Sequence, residues 1–110
     1  GKEDAPESLE AKVLFDADKL DVLGAIGAAR TVAYAALDNQ PIFSEPSQKF
    51  IKTGEKEIGE PHSSYHEFLF KLRKVKDRMF TRTGKILADA RHAYLVEFYT
   101  QLQAEVRGER

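Results

Sequence analysis

Ser8-Leu9-Glu10-Ala11-Lys12-Val13-Leu14-Phe15-Asp16-Ala17-Asp18-Lys19-Leu20-Asp21 is the stretch from which the rest of the chain is read. Leu9, Val13, Ala17 and Leu20 recur at i, i+4, i+8 and i+11, one face of a helix of about 3.6 residues per turn, so the segment predicts an amphipathic helix. Three carboxylates, those of Asp16, Asp18 and Asp21, fall within six residues of one another. On a helix Asp18 and Asp21 share a face, whereas Asp16 is turned about 200° from Asp18. Asp18, flanked by Ala17 and Leu20, is expected to follow the apolar stripe inward, with Asp16, Lys19 and Asp21 left to solvent. An ionised carboxylate so buried costs several kcal/mol unless it is paired or metal-bound. Hard divalent cations take carboxylate oxygens, which makes Asp18 a candidate metal ligand.

The helical pattern runs on through Leu23, Ile26, Ala33, Tyr34 and Leu37, in a segment crowded with Gly24, Ala25, Gly27, Ala28 and Ala29. Gly costs a helix about 1 kcal/mol relative to Ala, so the small residues imply close approach to another backbone. Upstream, Asp4 and Glu7 have capping-box spacing. From residue 38 to 62 the signal stops. Asn39, Pro41, Ser44, Pro46, Ser47, Gly54 and Gly59 are turn chemistry, and a connection of this length is functional or mobile as a rule. Helical order resumes at Ser64, which with Glu67 reads as a capping box, and Phe68, Leu72, Val75 and Met79 then line one face. A last helix carries Leu87, Tyr94, Leu95, Phe98, Leu102 and Val106. The expected architecture is all-α, about four helices over residues 8–37 and 64–107 with one long loop. Leu9, Val13, Ile26 and Tyr34 cannot all be covered within it, so the core is expected to be incomplete.

Composition excludes several functions. The 110 residues suffice for one domain, and 42% hydrophobic with 32% charged residues is the balance of a globular chain. Seventeen Lys+Arg against eighteen Asp+Glu leave a net charge of −1, without the basic excess that a nucleic-acid binder or a polybasic membrane anchor needs. No Cys removes disulfides, thiolate metal sites and cysteine nucleophiles. No run approaches the roughly 20 apolar residues of a membrane-spanning helix, and the expected compartment is the cytoplasm.

The segment Glu10–Asp21 resembles the final motif of HD-domain metal-dependent phosphohydrolases, E-A-x-x-x-x-D-A-D-[RK]-L-D. Leu23-Gly24-Ala25-Ile26-Gly27-Ala28-Ala29-Arg30 is similar to the L-G-A-I-G-x-A-R helix of one bacterial subfamily. Lys74-Val75-Lys76-Asp77-Arg78-Met79 and Thr83-Gly84-Lys85 resemble its C-terminal helices. Phe15-Asp16-Ala17-Asp18 also resembles the D-x-D motif of haloacid-dehalogenase-type phosphatases. Lys19-Leu20 stand where that motif has Gly-Thr, and the chain offers no strand pattern to carry it.

The HD resemblance implies a helical array in which a His…His-Asp…Asp set holds a divalent cation (Mn, Mg, Fe, Co or Ni) and a metal-activated water attacks a phosphate. The final Asp of the set maps onto Asp18, and Asp21, one turn on, would orient a ligand or water. The first His and the His-Asp pair lie upstream in the family. Here all three histidines follow Asp18 and no His-Asp dipeptide occurs. The chain therefore reads as the C-terminal part of an HD domain, inactive alone. Its implied partners are the missing N-terminal half or a self-associated copy, and a small phosphorylated substrate. Under this reading Arg30, Lys74, Lys76, Arg78 and Lys85 are candidate phosphate contacts, since Lys and Arg stabilise charge on a transferring phosphoryl group. His62, His66 and His92 read as packing or surface residues. The competing reading is a non-catalytic helical module whose exposed face binds a partner chain.

Overall fold

The chain is described by a computed structural model over residues 6–110, so the Asp4 end of the predicted capping box lies outside the described residues. Five α-helices follow in order: α1 Leu9–Leu20, α2 Gly24–Leu37, α3 Gln48–Thr53, α4 Ser64–Phe70 and α5 Arg82–Val106. A 3₁₀ helix, Leu72–Arg78, stands between α4 and α5. The all-α expectation holds, and the described residues contain no strand. α1 and α2 meet at a 62° corner and both pack along α5, while α4 packs against α2 and the 3₁₀ helix against α5. No single described helix is long and apolar enough to cross a membrane.

Local chemistry sets the ends of the helices. Ser8 Oγ accepts from Ala11 N (3.0 Å), Ser47 Oγ from Phe50 N (3.0 Å) and Thr81 Oγ1 from Gly84 N (2.9 Å). Each satisfies an N–H that the first helical turn leaves without a partner. The cap of α4 is Ser63, not Ser64: Ser63 Oγ accepts from His66 N at 3.1 Å. Ser64 instead donates to Ile42 O at 2.6 Å, fastening the long loop to the helix. The loop holds a helix of its own, α3, which six residues between Ser47 and Gly54 are too few to announce by periodicity.

The third predicted helix divides into α4 and the 3₁₀ helix, yet Phe68, Leu72, Val75 and Met79 are all buried. Only Leu72 and Val75 of the four lie within the 3₁₀ helix, and their spacing of three suits either winding, which is why periodicity does not see the change. Phe68 stacks on Tyr99 of α5 with ring centroids 4.7 Å apart, and Leu23, Leu95 and Ala88 close the centre. Of the small residues of α2, Gly27 makes the expected close approach to another backbone, whereas Gly24 meets the Arg91 side chain and Ala25 and Ala29 are exposed. A Cβ on Gly27 would come within 2.2 Å of Val22 O, so only Gly permits the tight corner after α1.

The outer side of α1 and α2 stays bare. Leu9 is 72% exposed, Val13 51%, Leu14 71%, Ile26 56% and Tyr34 60%. The apolar stripe Leu9–Val13–Ala17, read as a core face, is thus exposed, and only Leu20 of that stripe enters the core.

Candidate functional site

The structure reverses the expected burial of two aspartates. Asp16, not Asp18, is the buried carboxylate of α1, with 3% of its surface exposed. It crosses to the start of α5, where Oδ1 accepts from Phe80 N (2.9 Å) and Oδ2 accepts from Thr81 N (2.8 Å) and Thr81 Oγ1 (2.7 Å). Burial works against its charge. The hydrogen bonds from Phe80 and Thr81, aided by the nearby Lys85, override burial and hold the carboxyl below its ordinary range. Gly84 makes the arrangement possible, because a Cβ there would fall 2.2 Å from Asp16 Oδ2. Sequence spacing carried no sign of this anchor, since its donors lie 64 and 65 residues away.

The anchor fixes the rotation of α1 and thereby turns Asp18 outward. The Asp18 side chain is 81% exposed, with a single long contact to Lys19 Nζ (4.0 Å). Leu14, Asp18 and Asp21 stand at i, i+4 and i+7 on that side, next to the bare apolar surface of α2. Asp18 therefore has carboxylate oxygens free to bind, and it fits a hard cation as one oxygen donor. Among the described residues no group of three His, Asp or Glu side chains converges on a common point.

Arg30 joins the two aspartates to a cleft. Its guanidinium donates to Asp21 O (3.5 Å) and to Tyr34 Oη (3.4 Å), and it lies 5.8 Å from the centre of the Tyr34 ring. The Tyr34 contact, then the fields of Asp21 and Asp18, hold the guanidinium pKa above its usual value. The cleft, about 380 Å³, runs between α2 and the α4–3₁₀ segment. Of the predicted phosphate contacts, Arg30 and Arg78 both line it. The other three do not. Lys74 sits over the Phe70 ring (5.9 Å) at a second groove, Lys76 meets Asp77 (3.9 Å) and Lys85 stands by Asp16. Lys19 and Lys71, not singled out from the sequence, do line the cleft. A run of basic residues marks a solvated face without saying which members face a cavity.

The histidines act in the loop. His66 is fully buried; its Nε2 lies 2.7 Å from Glu60 Oε2 and its Nδ1 2.7 Å from Ser63 Oγ. Glu60 also accepts from Ser47 N and Glu57 N, both at 2.9 Å. Burial opposes its charge, and the hydrogen bonds from Ser47, His66 and Glu57 override burial, lowering its pKa from 4.5 to about 2. An ionised Glu60 oxygen accepts from His66 Nε2, which therefore carries a proton. His62 faces the cleft and pairs with Glu67 at 3.0 Å. His92 is half-buried on α5, and burial, with Lys76 nearby, lowers its pKa. The reading of all three as packing or surface residues fits His66 and His92, whereas His62 lines a cavity.

No protein-family model matches the chain. The chain is 33% identical over 103 residues to the uncharacterized protein YpgQ of Bacillus subtilis strain 168, covering 94% of this chain and 43% of that protein. It thus spans about half the length of the curated relative it matches. The crystal structure of Bacillus subtilis YpgQ in complex with ADP superposes with a TM-score of 0.72 at 31% identity, over 91% of this chain and 45% of that one. A Bacillus thuringiensis structure described as an HD-superfamily hydrolase gives a TM-score of 0.72 at 35% identity, over 91% of this chain and 47% of its own. In sequence and in fold, over nine-tenths of its length, this chain is similar to part of an HD-superfamily hydrolase.

Proposed function

We propose that the chain contributes one metal-binding carboxylate, Asp18, to a divalent-metal phosphohydrolase of the HD type acting on a nucleotide or related phosphate ester or anhydride. The observation that carries this reading is an exposed aspartate whose contact with Lys19 is long (4.0 Å), on a helix with bare apolar residues and with Asp21 and Arg30 nearby. A lone Asp in such a setting has little to do in this chain by itself. It has much to do once the Leu9–Val13–Ile26 surface is covered by the segment that supplies the remaining ligands. That segment, the N-terminal half implied by the HD resemblance, is the proposed partner; a second copy of the chain is the competing occupant.

A bound divalent cation supplies a water that is ionised near neutral pH and can attack phosphorus. The residues of this chain do the rest of the positioning. Asp21, one turn from Asp18, accepts a hydrogen bond from a ligand or water. Arg30 and Arg78 offer planar guanidinium donors to phosphate oxygens and offset the charge that grows on them. The apolar rim, once covered, excludes bulk water and strengthens each of these interactions.

In the complete protein, phosphate release from nucleotide substrates is expected to require added divalent cation and to fall at least about 100-fold in Asp18→Asn. Arg30→Ala should fall about 10-fold, the scale of one exposed charge contact of roughly 1.4 kcal/mol. Undiminished release from the Asp18 variant would overturn the assignment. The exposed apolar face also supports a second reading, a non-catalytic module docking a partner chain. It predicts association without any metal requirement.

A further inference from the structure

The long helix α5 buries one side and shows the other. Gly84, Ala88, Leu95 and Tyr99 face inward, and Asp16 of α1 reaches Gly84 and Thr81 from that inner side. The outer side carries Ile86 (59% exposed), Tyr94 (51%) and Leu87 (40%), with Ala90 and Ala93 bare between them. Arg82 and Thr83 precede this apolar patch and Glu97 follows it, all three exposed. Among the described residues neither Arg82 nor Glu97 stands in an ion pair.

The pattern is symmetrical about Ala90. Ile86 and Tyr94 stand four residues to either side of it, Thr83 and Glu97 seven, and offsets of four and seven return to one face of a helix. Such a face is complementary to its own reversed copy. Turned end for end about a two-fold axis at Ala90, Ile86 and Leu87 meet the partner's Tyr94, and Arg82 comes beside the partner's Glu97. A parallel pairing would instead set Arg82 against the partner's Arg82 and Glu97 against the partner's Glu97, so charge selects the antiparallel one. At the axis, where packed helices come to about 8–10 Å, Ala90 offers only a methyl group. Asp89 is the exception. It stands near the partner's Asp89, on the flank that also carries Lys85, and this like-charge contact weakens the pair.

We propose that the outer face of α5 binds a second copy of this chain, as an antiparallel pair with its two-fold axis at Ala90 and with Arg82 against the partner's Glu97. This surface is distinct from the Leu9–Val13–Ile26 face. Asp18, on the side of α1 turned away from α5, stays uncovered, so the pairing does not depend on the metal reading.

The test is sedimentation equilibrium of the complete protein, which should be a dimer. Arg82→Glu and Glu97→Arg should each weaken the dimer by about tenfold, since symmetry makes every substitution count twice. The double variant should recover it. Fifteen residues, about 22 Å of helix, separate the two positions within one chain, so recovery reports a contact between chains. Ala90→Glu places two carboxylates at the axis and should leave monomers, whereas Asp89→Asn should tighten the dimer. All four positions are exposed, and unchanged circular dichroism would show that each variant is folded. Oxidised Ala90→Cys should join chain to chain through a disulfide between the two copies of residue 90, read by peptide mapping. A monomeric wild-type protein would overturn the proposal. So would a dimer indifferent to Ala90→Glu, because its second copy would sit on another face.

Discussion

Asp16 and Asp18 are two residues apart and face opposite ways because one rotation of α1 decides both. Asp16 satisfies two backbone N–H groups and the Thr81 hydroxyl at the start of α5. Removing it leaves buried donors without an acceptor, each costing about 1–3 kcal/mol. Asp16→Ala is therefore expected to lower the unfolding free energy by about 2–4 kcal/mol in urea titrations. Asp16→Asn should cost less, since its amide oxygen still accepts from one of the donors. Gly84→Ala should destabilise as well, because its methyl would occupy the space of Asp16 Oδ2. Combined with Asp16→Ala, the second loss should be smaller than alone, and strict additivity would deny the coupling. The repeat at Leu9, Val13 and Ala17 was legible as a helix. Which face turned inward was not, because that depended on donors at Phe80 and Thr81, far along the chain, and on an apolar surface left bare.

At the scale of elements, the segment from residue 38 to 62 looks like open loop in sequence and is fastened at several points. His66, Glu60 and Ser63 hold its far end, Ser64 binds Ile42 O, and Gln40 holds His62 N. The turn residues and the absence of period were readable. The fastening was not, since it uses polar side chains that also suit a surface. Glu60 has a folded-state pKa of about 2 against 4.5 ordinarily. A carboxyl whose pKa is depressed on folding contributes stability that is complete above 4.5 and is lost as pH falls toward 2. Amide protection in the loop, the observed exchange rate set against the intrinsic rate at the same pH, should thus fall over that window and hold constant above it. Glu60→Gln should give faster exchange already at neutral pH with a flatter dependence on acid. A loop whose exchange is the same in both proteins at neutral pH would show that this fastening contributes nothing. The long basic helix was read correctly for its buried side. Its division at Lys71 into α and 3₁₀ turns decides that Lys71 and Arg78 reach the cleft while Lys74 points to another groove.

Across the whole molecule, the core is well filled on one side and absent on the other. Leu23, Leu95 and Tyr99 are buried to within 1%. Leu9, Val13, Leu14 and Ile26, a few residues away in sequence, face outward. Exposed apolar surface of this extent favours association. The sequence pattern announced too many apolar residues for the helices to hide, and that part of the expectation is visible in the structure. It mistook the inward aspartate, because an exposed apolar stripe has the same period as one that faces the core. The central claim is that Asp18 serves a metal and Asp16 serves the fold. Elemental analysis of the purified complete protein and its two Asn variants, paired with their unfolding transitions, separates the roles. The account predicts that Asp18→Asn loses its divalent metal and unfolds where the metal-stripped wild type does, whereas Asp16→Asn unfolds earlier than metal-stripped wild type. Full metal occupancy in Asp18→Asn, or an Asp16→Asn protein as stable as wild type, would contradict it.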